Sequence, residues 1–168
     1  MAKILMVVAP ERFRDEELFL PKEDFEKSGH KTFIASTRIG ICTGSRGGNI
    51  VADSLLKDID SEDYDAVVFV GGGGSKIFFN DSDALNIVKE MNDKGRIVSA
   101  ICLAPVILAN AGVLKGKNAT VSGQEAKTIE NKGAKYTGPG VTVDGNIVTG
   151  NAPKSSKLFG QKISELLK

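Results

Sequence analysis

Three stretches of this sequence are apolar almost without interruption: Ile4-Leu5-Met6-Val7-Val8-Ala9, Ala66-Val67-Val68-Phe69-Val70 and Ile97-Val98-Ser99-Ala100-Ile101. A strand with one wet face alternates apolar and polar residues, so an unbroken run belongs to a strand covered on both faces. Buried strands of that kind pair in parallel, and parallel neighbours need long crossover connections. The chain supplies them as helical patterns between the runs. A doubly wound α/β sandwich of three layers follows, with a mostly parallel sheet and ligands expected beyond the carboxyl ends of its strands.

The remaining elements fit that alternation. An amphipathic segment runs from about Glu16 to Lys27, stopped by Ser28-Gly29, and Lys31 to Ala35 reads as the second strand. Residues 39–52, punctuated by glycines, read as an excursion of hairpin strands. A helix is expected over Ser82 to Lys94, capped by Gly95, and another over Leu103 to Ala111. Lys117 to Ser122 reads as a further strand and Glu125 to Asn131 as a short helix. Val141 to Thr149 forms a hairpin turning at Asp-Gly-Asn, and a final helix runs from about Lys154 to Leu167. With 168 residues and neither linkers nor repeats, residues 1–168 read as one domain.

The balance of 22 basic and 21 acidic residues creates no field that would draw nucleic acid or an anionic membrane. No apolar run reaches a membrane-spanning length, and the first one is too short and wrongly flanked for a signal peptide. Two cysteines make no disulfide framework, so the chain reads as cytoplasmic with reduced thiols.

Chemistry concentrates where the third run ends. Ala100-Ile101-Cys102-Leu103-Ala104 places a cysteine between strand and helix, with small residues two positions away on each side. That is the pattern of a nucleophile elbow, with Cys for Ser and Ala for both flanking Gly. A helix N-terminus beside the sulfur favours thiolate. A buried structural cysteine gives the same pattern. Gly71-Gly72-Gly73-Gly74 follows the second run, where it either frees backbone N–H groups to hold an oxyanion or makes a tight connection. The loops at Ala9 to Glu17, Val70 to Ser75 and Ala100 to Pro105 are expected to meet.

A thiolate needs a proton partner. His30, the only histidine, sits at the far end of the sheet and reads as structural, as does Cys42. Glu16 and Glu17 remain. Glu17 directly precedes apolar Leu18-Phe19-Leu20-Pro21, so burial would raise its pKa and leave it able to donate to sulfur. A solvated charge at a helix start is the competing reading for both.

Taken in order, these segments resemble the ThiJ/PfpI superfamily, also called the DJ-one family and similar to class I glutamine amidotransferases. The resemblance covers the opening strand, Asp15-Glu16-Glu17-Leu18-Phe19-Leu20-Pro21 and Ser28-Gly29-His30-Lys31. It continues through Tyr64 to Gly72, Ala100-Ile101-Cys102, Ala111 to Lys117 and Val143 to Thr149. It implies a flavodoxin-like sandwich without metal or organic cofactor, assembled as homodimers or higher homo-oligomers. It also implies that Cys102 is the reactive nucleophile, Glu17 its hydrogen-bonding acid, and Gly72 with the Leu103 backbone the oxyanion hole. Two histidines common in the family are missing: Leu103 follows the cysteine, and Ser122 stands after the next strand.

The activity so implied is glyoxalase or deglycase chemistry on small reactive aldehydes, through a hemithioacetal on Cys102 with Glu17 moving the proton. A cysteine peptidase or amidase acting on a peptide is the alternative, poorly supplied with a leaving-group acid. A non-catalytic redox sensor or stress chaperone, oxidised at Cys102, is the third.

Overall fold

The structure, a computed structural model, describes all residues 1–168. Its main sheet has seven strands in the order β6-β3-β1-β7-β8-β12-β11. The central ones are β1 (Lys3–Val7), β3 (Lys31–Ser36), β7 (Ala66–Phe69), β8 (Ile97–Ile101) and β12 (Ile147–Gly150). The edges are β6 (Ser54–Leu55) and β11 (Val141–Asp144), and only the β11–β12 pair is antiparallel. From β1 the chain steps one way to β3 and then returns to the other side at β7. Such a reversal opens a crevice above the strand ends.

Alternation along each strand feeds two cores. Leu5 and Val7 join Val67, Phe69 and Val98 under α2 (Ser82–Asp93), α3 (Pro105–Asn110) and α4 (Ala126–Asn131). Ile4 and Met6 face the opposite way, against Leu18 and Phe25 of α1 (Asp15–Lys27) and Phe159 and Ile163 of α5 (Ser156–Leu166). Each fully buried side chain of this size contributes roughly 1.5–3 kcal/mol of apolar burial. The three-layer α/β/α sandwich is therefore present. Pro21 lies inside α1, and its Cα packs on Gly160 of α5, where an added Cβ would lie only 2.9 Å away.

The excursion over residues 39–52 is a hairpin of β4 (Gly40–Gly44) and β5 (Asn49–Ala52). Its third strand was not legible in sequence. β2 (Glu11–Phe13) pairs in parallel with β4 inside what reads as a charged loop. Arg12 there takes a φ of 60°, and the register shifts at that point.

Two expectations need correction. Lys117 to Ser122 does not enter the main sheet: only β9 (Asn118–Ala119) is extended, paired with β10 (Lys135–Tyr136). The place beside β8 belongs to β12, so the backbone of 120–122 finds other partners. Thr120 N–H donates to Thr149 Oγ1 at 2.9 Å, and Ser122 N–H to the Cys102 carbonyl at 2.7 Å. The helix expected from Leu103 starts only at Pro105 and has six residues, because Cys102 turns the chain through a φ of 66° first.

Candidate active site

Three segments converge above β1, β7 and β8. Cys102 ends the elbow in the left-handed region, which a residue with a side chain occupies only when its surroundings enforce it. Its N–H donates to the Gly150 carbonyl at 2.9 Å and its carbonyl accepts from Ser122, so both sides of the turn are pinned. The Gly72 and Leu103 N–H groups both act on the sulfur, stabilising its negative charge.

Glu17 lies in the first turn of α1, not in the loop before it, and is fully buried. Neither carboxyl oxygen has a conventional hydrogen-bond partner, and its neighbours are the Cys102 thiol and Gly71. Burial pushes this carboxyl up to about 8. The nearby thiol, Arg14 and Gly71 N–H pull the other way without overcoming it. At neutral pH the carboxyl keeps its proton, which accounts for an uncharged group tolerated without an ion-pair partner.

The thiol does not follow the expectation of a helix terminus that favours thiolate. Burial, and next the charge of an ionised Glu17, push Cys102 up to about 11, against the Gly72 and Leu103 N–H groups. A six-residue helix beginning three residues later has little dipole to set against desolvation. Thiol and carboxyl thus rest with both protons, and the sulfur is activated when its own proton is taken.

The four glycines do more than connect strand to helix. An added Cβ on Gly71 would lie 2.4 Å from the Ile101 carbonyl, 2.5 Å from Glu17 Oε1 and 2.7 Å from Cys102 Cβ. Gly72, at a φ of 97°, backs onto the Arg12–Arg14 backbone, and Gly74 onto the Glu11 carbonyl. Gly73 alone faces open space. Close approach therefore demands three of the four, and the same approach aims Gly72 N–H at the sulfur.

Other groups were not singled out by the sequence pattern. Arg14 N–H donates to the Gly71 carbonyl at 3.0 Å, and its guanidinium grips Glu16 in a two-pronged pair at 2.9 and 3.0 Å. This pair holds Glu16 below the usual carboxylate range and turns it away from Cys102's task. Asp15 accepts from Arg46 N–H at 2.9 Å and Gly48 N–H at 2.7 Å, latching α1 to the β4–β5 turn. The only signal for that latch is glycine at 44, 47 and 48, where side chains would collide with the carboxylate or strain the turn. A shallow cavity of about 520 Å³ is lined by Arg14, Glu16, Leu20 and the Ala152–Lys154 loop with Lys157, residues that lie close to Glu17 and Gly150 along the chain.

Residues read as structural lie elsewhere. His30 Nδ1 accepts the Ala2 N–H at 3.0 Å at the opposite end of β1, and Cys42 is fully buried in the hairpin. No three His, Cys, Asp or Glu side chains gather to hold a metal ion. No helix is long and apolar enough to cross a membrane.

Known proteins are similar to this one along nearly the whole chain. MJ0967 of Methanocaldococcus jannaschii is 46% identical over 165 residues, covering 96% of this chain and 80% of that protein. Deglycase PfpI of Pyrococcus furiosus is 32% identical over 166 residues, covering 99% of each. The crystal structure of a ThiJ/PfpI domain protein from Brachyspira murdochii superposes with a TM-score of 0.96 at 38% identity, covering 98% of this chain and 95% of that one. The sequence signature of the DJ-1/PfpI family matches residues 2–166, and the chain belongs to that family.

Proposed function

We propose that this protein is a cofactor-independent enzyme acting on small reactive aldehydes, with Cys102 as nucleophile and Glu17 as proton carrier. The observation that carries this reading is a fully buried carboxyl beside the thiol, pushed up to about 8, so that near neutral pH it can both give and take a proton. The name of the Pyrococcus relative, a deglycase, supports the same chemistry.

With a 2-oxoaldehyde such as methylglyoxal, Sγ bonds to the aldehyde carbon. The thiol proton reaches the carbonyl oxygen by way of Glu17, giving a hemithioacetal. Gly72 and Leu103 N–H groups hold the oxygen while its charge develops. Glu17, once its own proton has passed to solvent as a carboxyl near 8 allows, takes the hydrogen of the former aldehyde carbon as a proton and returns it to the neighbouring carbon, while the hydroxyl proton crosses to the former ketone oxygen. The electron pair moves with the double bond, so one carbon is oxidised and the next reduced without outside oxidant. Water then cleaves the thioester, releasing a 2-hydroxy acid and the thiol.

The same reading includes assembly of copies in the cytoplasm through the β4–β5 hairpin. Ile39, Ile41 and Val51 there are 56%, 59% and 60% exposed, and Ile41 and Val51 are cross-strand partners. An apolar strip of that kind on a strand pair is suited to a second copy.

The deciding experiment incubates purified protein with methylglyoxal and follows its loss against lactate formation, for the parent and Cys102→Ser. Stoichiometric lactate that vanishes in the variant supports the proposal. Loss of aldehyde without lactate, or turnover surviving the substitution, overturns it.

A further inference from the structure

The cavity between Arg14 and the Ala152–Lys154 loop has an unusual charge for this chain. The whole protein carries a formal +1, yet Arg14, Lys154 and Lys157 line this one cavity against a single carboxylate, Glu16. Glu16 is already consumed by its two-pronged pair with Arg14, which leaves both lysines as surplus. Neither Lys154 nor Lys157 forms an ion pair, although Glu23 of α1 feels the charge of Lys157. Lys154 is the less compensated of the two.

The position of these charges is fixed by the fold. Gly150 ends β12 with its carbonyl on Cys102 N–H, and the chain continues directly into Asn151 and the Ala152–Lys154 segment. Asn151 is tied back through Gly140 N–H at 3.0 Å and Ser155 Oγ at 2.9 Å, so the loop bearing Lys154 is braced. On the other wall, Arg14 is anchored through its N–H to Gly71. One wall thus follows a residue bonded to Cys102, and the other is tied to Gly71, which packs against Cys102. Leu20 and Pro153 add an apolar lining, fit for a short aliphatic stem between two polar ends.

We propose that the cavity selects aldehydes that carry a carboxylate at the far end of a short aliphatic chain. The anion would sit between Lys154 and Lys157 while the aldehyde reaches Cys102. Placing turnover on such compounds rests on the aldehyde chemistry proposed above, but the anion preference of the mouth does not. Exposed cation–anion contacts are worth little each, so the preference expected is modest, about two- to five-fold per lysine.

Two independent measurements separate the readings. In the first, kcat/KM is compared for 4,5-dioxopentanoate and its uncharged shape analogue 5-methyl-2-oxohexanal. Adding water to the former gives 2-hydroxyglutarate, with the aldehyde carbon oxidised and the ketone reduced. In the second, the rates at which iodoacetate and iodoacetamide alkylate Cys102 are compared. Each forms the S–C bond, expels iodide and releases the thiol proton, and only the first reagent is an anion. Both anionic-to-neutral ratios should fall about two- to five-fold in Lys154→Gln, further in the double variant with Lys157→Gln, and in the parent at high salt. If no 2-oxoaldehyde is turned over but the alkylation ratio falls as stated, the aldehyde chemistry is wrong and the anion-selective mouth stands. Alkylation ratios equal in parent and variants overturn the mouth, whatever the turnover. A folded double variant, checked by its thermal transition, excludes loss of structure as the cause.

Discussion

Gly71 and Glu17 are set so close that the missing side chain of one makes room for the carboxyl of the other: a Cβ on Gly71 would lie 2.5 Å from Glu17 Oε1. The same Cβ would press on the Ile101 carbonyl at 2.4 Å, which is backbone of a central strand and cannot swing aside. Gly71→Ala should therefore cost about 1–3 kcal/mol and slow Cys102 alkylation as the site distorts. Gly73→Ala, with open space around it, should be neutral within about 0.5 kcal/mol. Urea titrations of both variants check the contrast.

Glu17 makes stability depend on pH with a definite sign. Its ordinary value is 4.5 and its folded value about 8, so between these the folded state binds a proton that the unfolded chain has lost. Stability must fall as pH rises through that window, by an amount on the order of several kcal/mol. Glu17→Gln has no such proton to lose. The parent's Tm should drop from pH 5 to pH 8.5 more steeply than the variant's, and the variant should be the more stable at the alkaline end. Parallel curves would mean that the carboxyl is not held neutral.

The two cysteines should differ sharply toward iodoacetamide. Cys42 is fully buried while Cys102 is partly accessible, so mass spectrometry should find Cys102 modified first. With its thiol pushed up to about 11, the rate should climb nearly ten-fold per pH unit between 7 and 9. The charge of an ionised Glu17 pushes the thiol further up, so in Glu17→Gln absorbance at 240 nm should show the thiolate appearing at lower pH than in the parent.

Asp15→Asn removes the carboxylate that accepts Arg46 and Gly48 N–H groups. Two charge-assisted bonds weaken together, and a loss of about 1–3 kcal/mol is expected. Hydrogen exchange should quicken at residues 45–48 before the central strands respond.

Ile41→Asp with Val51→Asp places two charges on the exposed hairpin strip while leaving its buried face, Cys42 and Ala52, untouched. Light scattering at micromolar concentration should find an oligomer for the parent and a monomer for the variant. A parent that is already monomeric removes the assembly proposal.

Periodicity alone determined the sandwich. Nearly uninterrupted apolar runs at 4–9, 66–70 and 97–101 have one stable use, a parallel sheet covered on both faces, and the helical segments between them supply the covers. The elbow was legible for a similar reason, since small residues around Cys102 are a local demand of a tight turn. What local pattern cannot express is which distant backbone occupies a given place. Lys117 to Ser122 has strand character, but β12 fills the position beside β8 and leaves this segment outside. Glu16 and Glu17 are the same residue type in adjacent positions. Only the packing of α1 sends one to an arginine at the surface and the other into a pocket that Gly71 leaves open. The thiol's ionisation lies further still from sequence, because desolvation and a neighbour's charge are sums over the whole fold, and here they outweigh the short helix.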